Sequence, residues 1–242
     1  MLINIDLCQI EMVWFAQLSK DKLLIKLIND GTDLHRYTAS LILDKPEISA
    51  QERQDAKTAN FGIIYGNGPK TLSENTGRSF DWCKNYIEEF YNMFHEAKSW
   101  HDSILSTVKQ TSNLKLFTNE VLYFRKYPAK YDWQFQQGIT ESYNPPEIKN
   151  YPVQHIAGLT MKMIIAEFAR KKAFMKRDKY LLINTVHDSL MIDAKEEYSD
   201  EAISDFNEVL DSIPSIIYNV FNERMLVPIK CDISMGACWH DL

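Results

Sequence analysis

The sequence is short of the residues that would tie a chain by covalent or metal cross-links. Its four cysteines, Cys8, Cys83, Cys231 and Cys238, form no CxxC pair and no zinc-ligand spacing. That argues against a disulfide framework or a zinc ribbon and for a reduced, cytosol-like compartment. No apolar run approaches the roughly 20 residues that span a bilayer. A secretory leader is not evident either, because Met1 is followed by Leu-Ile-Asn-Ile-Asp, with a carboxylate where an apolar core would continue. Internal repeats and low-complexity tracts are missing as well. What is present is ordinary for a soluble globular protein, 45% hydrophobic and 25% charged over 242 residues. That is enough for a substantial core in one large domain or two smaller ones.

A net charge of -6 argues against a general nucleic-acid coat, but the average conceals a division. Over residues 149–179 eight Lys or Arg stand against two acids, a net of +6, and over 188–211 nine acids stand against Lys195, a net of -8. Such asymmetry fits a protein that meets a polyanion on one face, and it also fits the solvated faces of helices.

Along the chain, residues 2–7 read as a short strand with an acid, Asp6, near its end, and 9–28 as a largely helical segment. Another helix is expected over 31–43, capped by Thr32 or Asp33, with His35 and Arg36 near its positive end. Residues 67–77 are polar and contain glycine, and helical patterning returns over 81–94 and 98–110. A hairpin is expected over 114–124 and a loop over 127–146. Residues 150–154 then open a long helix over about 156–176, with Leu159, Met163, Ala166 and Phe168 facing inward. Residues 180–194 read as two apolar strands joined by a tight turn at His187, Asp188 and Ser189. An acidic helix over 196–211, an apolar stretch to Phe221 and a strand over 227–233 complete the pattern.

The stretch 49–66, SAQERQDAKTANFGIIYG, carries the densest information. It reads as one helix of about sixteen residues, opened by Ser49 with Glu52 three places on as a capping box and ended by Gly66 in a left-handed conformation. Arg53, Lys57, Phe61 and Tyr65 recur at every fourth position and share one stripe, while Ala56, Ala59 and Ile63 form the face that packs. Cations beside a helix N-terminus suit a polyphosphate, and aromatics farther along suit a base or a sugar. That order fits a nucleoside triphosphate. A solvated amphipathic helix with two packed aromatics is the plainer alternative.

Asp6 and Asp188 are two carboxylates at the ends of apolar strands, nearly the whole chain apart. If their strands are neighbours, the acids converge and repel unless a cation lies between them. Oxygen ligands of this kind suit Mg²⁺, which keeps waters and shares substrate phosphates. Two such ions about 4 Å apart are the usual device for in-line attack at phosphorus.

Three motifs now carry a resemblance. DLCQIE at 6–11 resembles the first polymerase motif of the family A, polymerase I-like DNA polymerases, RQDAKTANFGIIYG at 53–66 matches that family's fingers helix, and VHDS at 186–189 resembles its third motif. Asn150 and Gln154, within NYPVQ, match an element between the last two. The order agrees over essentially the whole chain, and NYPVQ with VHDS suggests the phage-encoded branch.

The resemblance implies an α+β fold, with a palm built on an antiparallel sheet over 1–29 and 150–242 and a helical fingers insertion over 30–149. It implies template-directed DNA synthesis from dNTPs on a primer 3′-hydroxyl. Asp6 and Asp188 would hold two Mg²⁺ ions with the backbone carbonyl of Leu7. Arg53, Lys57 and His35 would bind the triphosphate, with Lys57 also protonating the leaving pyrophosphate. Phe61 would lie on the sugar and base, Tyr65 would stack at the templating position, and Glu11 would exclude a ribose 2′-hydroxyl. Gln9, Asn150, Gln154 and His187 would touch the nucleotide, primer or template near the growing end. Departures from the family pattern are Ser189 for a second acid, Val13 for an Arg and His155 for a Gly. The family's thumb, upstream palm strands and proofreading nuclease have no counterpart in this sequence. A second polypeptide supplying the thumb is therefore expected beside primer-template DNA and dNTPs, in a cytoplasm that is the host's if the gene is phage-encoded. The competing expectations are a catalytically silent module of the same fold that binds DNA or a partner protein, and a reverse transcriptase or RNA polymerase; Glu11 as a gate argues for deoxynucleotides.

Overall fold

The computed structural model describes residues 1–130 and 132–241. In chain order its strands and helices are β1 (Leu2–Leu7), α1 (Ile10–Ser19), α2 (Lys22–Asn29), α3 (Leu34–Ile42), α4 (Ala50–Ile64), α5 (Pro69–Thr76), α6 (Phe80–Met93), α7 (His95–Thr111), β2 (Asn113–Lys115), β3 (Val121–Tyr123), β4 (Tyr127–Pro128), α8 (Asp132–Gln136), β5 (Glu141–Ser142), α9 (Pro145–Phe168), β6 (Tyr180–Val186), β7 (Ser189–Ala194), α10 (Ser199–Phe221) and β8 (Cys231–Gly236). The class is α+β, as expected. No helix among the described residues is long and apolar enough to cross a membrane, and all four cysteines are free thiols.

Two compact units emerge, one formed by residues 1–14 with 155–242 and one by 15–154. The joints were expected at 29/30 and 149/150. The first lies earlier because the ring of Phe15 packs edge-on to Trp100 at 5.9 Å and against His101 at 5.2 Å, inside the second unit. Asp21 anchors the same region. It caps α2 by accepting from the Leu24 amide at 3.0 Å, and its other oxygen accepts from the Ala97 amide in the first turn of α7 at 3.1 Å. One fully buried carboxylate thus satisfies donors at two helix N-termini, where backbone dipoles favour negative charge. A left-handed φ of 55° at Lys20 separates α1 from α2, so the expected single segment over 9–28 is two helices.

The first unit is organised on a four-stranded sheet of order β6-β7-β1-β8, with each neighbouring pair antiparallel. Ile3, Ile5 and Leu7 of β1 are buried on one face with Leu190 and Ile192 of β7 close by. His187 and Asp188 make the two-residue turn between β6 and β7, and His187 adopts φ 54°, a left-handed value common in tight hairpins. The last strand begins at Cys231, later than expected, because Pro228 has no N–H to give to a ladder.

Helix α9 begins at Pro145, earlier than expected, since prolines in a first turn leave no intrahelical donor missing. Its most buried positions are Ile148, Val153, Ile156, Thr160, Ile164 and Phe168. Leu159 and Met163 are only half-buried and Ala166 is exposed, so of the four positions expected inside only Phe168 is buried, and the apolar stripe is rotated by about one residue. The helix continues into a π turn at Ala169–Ala173. In the second unit the polar stretch after α4 folds as α5, with Gly68 at its N-cap, Pro69 in its first turn and Gly77 ending it at φ 70°. The stretch expected as loop over 127–146 contains the β4–β5 pair and α8.

The division of charge is largely resolved within the first unit. Lys172 pairs with Asp205 at 3.2 Å and Glu208 at 2.6 Å, Lys176 with Asp205 at 2.5 Å and Glu201 at 2.8 Å, and Lys179 with Glu201 at 2.9 Å. Arg170 and Lys171 pair with Glu167. Much of the basic cluster therefore meets the acidic helix α10 and not an external polyanion. Asp205 is the buried centre, also accepting from the Tyr180 hydroxyl. Asp205→Ala should cost about 2–3 kcal/mol, because it strands partly buried amines and a phenol. A urea titration should show a lower midpoint at unchanged slope; a loss below about 0.5 kcal/mol would make the cluster an ordinary solvated one.

Candidate active site

The carboxylates of the first unit meet through strand register. Asp6 on β1 lies opposite Ser189 on β7 and opposite Asp232 on β8, and the Leu7 amide donates to the Asp188 carbonyl at 3.0 Å. The convergence expected of Asp6 and Asp188 is therefore observed. Burial raises the pKa of Asp6 above the ordinary carboxylate value, and the charges of Asp188 and Asp232 raise it further. A carboxylate so placed is suited to a neighbouring cation. Among the described residues no group of three or more His, Cys, Asp or Glu is arranged as a metal site. The donor set instead fits a hard ion that keeps waters or substrate oxygens for most of its shell.

Asp232 escaped the sequence reading, because nothing in CDIS distinguishes it from a surface acid until β8 is paired with β1. It also accepts from the Cys8 thiol, which burial and that hydrogen bond push up to about 11, so Cys8 stays protonated. Ser189 turns its hydroxyl to the Val186 carbonyl at 2.9 Å and closes the hairpin. Glu11 is half-buried in the first turn of α1, where the helix dipole favours an acid. Gln9, at φ 47°, and His187 are exposed.

The second unit holds the cationic stripe. Ser49 and Glu52 form both bonds of the expected capping box, and Ala56, Ala59 and Ile63 are buried as expected. The underside of α4 is also tied by polar groups. Asp55 is buried and accepts from Arg78 Nε at 2.7 Å and Gln51 Nε2 at 2.7 Å. Asn60, fully buried, accepts from the Tyr86 hydroxyl at 3.0 Å and donates to Thr38 Oγ1 and His35 Nδ1, each at 3.0 Å. These bonds fix the rotation of α4, so Arg53, Lys57, Phe61 and Tyr65 are left half-buried or exposed on its outer side.

Arg53 is not free. Its Nε donates to Asp33 Oδ2 at 2.5 Å. Asp33 caps α3, its Oδ1 accepting from the amides of His35 and Arg36 at 3.1 Å each. Burial alone would raise the Asp33 pKa, but the bonds from Arg53 and the Arg36 amide outweigh it and hold the carboxyl below its ordinary value.

His35 lies beneath this pair at 1% exposure, with the Phe61 ring 5.6 Å from its own. Burial lowers its pKa to about 4; Asp33 opposes the shift while Arg53 and Lys57 add to it. His35, Arg53 and Lys57 are thus brought together electrostatically. Since Asn60 donates to Nδ1, the neutral ring carries its proton on Nε2, and that buried atom has no partner among the described residues. A donor lacking an acceptor is suited to a phosphate oxygen, although in this state the ring is covered.

Gly66, at φ 76°, ends the helix where a Cβ would lie 2.9 Å from the Pro146 Cα and 2.8 Å from the Lys149 Cδ, so the left-handed turn and the close approach both require glycine. Nearby on α9, Asn150 has a buried Oδ1 without a partner among the described residues, and Gln154 is exposed.

The His35 geometry has a pH signature. The unfolded chain takes up a proton near 6.5 while the folded ring resists until about 4. Stability is therefore lost as pH falls across that window, at about 1.4 kcal/mol per unit. His35→Gln should flatten this part of the profile in urea titrations at pH 7, 5.5 and 4. An unchanged slope would mean that the ring is not held neutral.

The chain is similar to known proteins. The family model for DNA polymerase family A matches residues 1–241. The DNA polymerase I of Aquifex aeolicus is 29% identical over 238 residues, covering 90% of this chain and 38% of that protein. The DNA polymerase I of Lactococcus lactis subsp. lactis is 28% identical over 247 residues, covering all of this chain and 26% of that protein. The chain thus spans between 26% and 38% of the length of these relatives. Its fold is shared with the POL domain of Pol1 from M. smegmatis, solved in complex with DNA primer-template and dNTP, at TM-score 0.79 and 21% identity over 98% of this chain and 40% of that one. With the match running through both carboxylate strands and the cationic helix, the chain belongs to DNA polymerase family A.

Proposed function

We propose that this chain carries out template-directed nucleotidyl transfer, joining a dNTP to a primer 3′-hydroxyl. The observation that carries this reading is the meeting of Asp6 and Asp188, whose charges oppose each other, in a chain that also carries a capped helix with Arg53 and Lys57 on its outer stripe. In this reading the first unit is the palm and the second the fingers. The expected partners are primer-template DNA, dNTPs and a second polypeptide supplying a thumb. The four free thiols support a reducing cytoplasm as the setting, a bacterial host's if the gene is phage-borne.

Each residue then has a chemical task. Asp6 and Asp188, with the Leu7 carbonyl, would hold two Mg²⁺ ions, which when bound would activate the 3′-hydroxyl and neutralise charge on the phosphates. Arg53 and Lys57 bind the triphosphate oxygens, and His35 Nε2–H adds a neutral donor once its ring is uncovered. The 3′-oxygen loses its proton to solvent and forms a bond to the α-phosphorus as the bond to pyrophosphate breaks, and Lys57 gives a proton to the leaving oxygen. Phe61 lies on the sugar and base and Tyr65 stacks at the templating position. Glu11 fills the space a 2′-hydroxyl would need, where burying an unpaired hydroxyl is costly. Gln9, Asn150, Gln154 and His187 contact the nucleotide, primer or template.

Primer extension by the full chain tests the reading. Asp188→Ala should lose incorporation by at least about a thousandfold while retaining primer-template binding, and normal extension by that variant would sink the assignment. Binding of primer-template by the unsubstituted chain with no incorporation at any Mg²⁺ concentration would favour the silent module. Glu11→Ala should lower the preference for dNTP over rNTP, and an unchanged ratio would remove the gate.

A further inference from the structure

Asp33 belongs to none of the motifs that carry the family resemblance, yet it joins two elements of the proposed triphosphate site. Its Oδ1 is fixed by the amides of His35 and Arg36, and its Oδ2 receives Arg53 from α4. Arg36 adds a second tie, donating from Nη1 to the Ile48 carbonyl at 2.8 Å, immediately before the Ser49 cap of α4. Two helix N-termini, and with them His35 and Arg53, are therefore set by one capped turn.

A carboxylate beside a site for a polyanion opposes binding by its charge, so its presence calls for a compensating role. The bond geometry supplies one. Asp33 grips Arg53 through Nε, and the terminal nitrogens of the guanidinium make no hydrogen bond among the described residues. A planar fork held at Nε presents its outer N–H groups in a fixed direction, the arrangement suited to bidentate phosphate recognition. A carboxylate that could rotate freely would hold an exposed arginine poorly. Here the acceptor is itself anchored by two backbone amides.

We propose that Asp33 is a positioning residue for the triphosphate site, capping α3 with one oxygen and holding the Arg53 fork toward phosphate with the other. This rests on the reading of Arg53 as a triphosphate ligand. Lysine in place of Arg53 would keep the charge but not the function, because an ammonium held by Asp33 offers its remaining N–H groups from one atom and has no planar fork to bind phosphate bidentately. The advantage of arginine over lysine at position 53 therefore depends on Asp33.

A double-mutant cycle whose Arg53→Lys step conserves charge in every background tests the dependence. Sodium tripolyphosphate is titrated calorimetrically into the full chain, Arg53→Lys, Asp33→Asn and the double variant. Asn keeps a good helix cap, and Asp33→Ser, also a good cap that cannot reach Arg53, repeats the cycle should Asn perturb folding. Arg53→Lys should weaken binding about tenfold with Asp33 present and less than about threefold in the Asn and Ser backgrounds. Equal factors in all backgrounds would overturn the positioning role, since a residue that only caps α3 would change thermal stability and leave no cross term. Absence of tripolyphosphate binding by the unsubstituted chain would overturn the triphosphate site itself, and the inference with it.

Discussion

The chemistry of the first unit depends on backbone pairing along a six-residue strand. β1 has an antiparallel partner on each side, and the pattern of hydrogen bonds, not any side-chain contact, sets Asp6 against the hairpin turn of Asp188 on one edge and against Asp232 on the other. Because strand side chains alternate faces, a slip of one residue would turn Asp6 to the opposite face and bring Ile5 out of the core. The burial of Ile3, Ile5 and Leu7 therefore fixes the position of a charge that is itself unfavourably placed. Like charges are brought close at a cost to the free carboxylates, and that cost is what makes the place suited to cations.

The second unit uses buried polar groups for orientation in a comparable way. Asp21 satisfies two helix N-termini, Asp55 takes Arg78 and Gln51, and Asn60 links α4 to α3 and α6 through Thr38, His35 and Tyr86. Apolar packing alone would let α4 rotate about its axis, since alanines offer little shape to hold it. Directional bonds on the inward side fix which residues face outward, and Asp33 extends that control to the direction of a single guanidinium.

What could be read directly from the sequence was local or periodic. The capping box at Ser49, the four-residue recurrence of Arg53, Lys57, Phe61 and Tyr65, and the tight hairpin at His187 and Asp188 lie within a few residues of their own signals. Helix α5 was also signalled, by Gly68, Pro69 and Gly77, but its polar composition concealed it. The inward face of α9 lies about one residue from the expected stripe, because its apolar residues spread over more than one face and do not declare which is buried. Three features depend on pairings far apart in sequence. These are the pairing of Lys172, Lys176 and Lys179 with α10, the placement of Asp232 beside Asp6, and the burial of His35 on Asn60. None of them has a spacing rule that a single sequence could reveal.

Thermal unfolding of the full chain with and without MnCl2 shows whether Asp6 and Asp188 hold divalent cations. Binding to the folded state alone at a hundredfold over Kd stabilises by about 2.7 kcal/mol, which for a chain of this length raises Tm by roughly 5–10 °C. That rise is expected for the unsubstituted chain and not for Asp6→Asn/Asp188→Asn, which should itself melt slightly higher than the unsubstituted chain in metal-free buffer because the repulsion is gone. An equal Mn²⁺-dependent rise in both proteins would contradict that expectation.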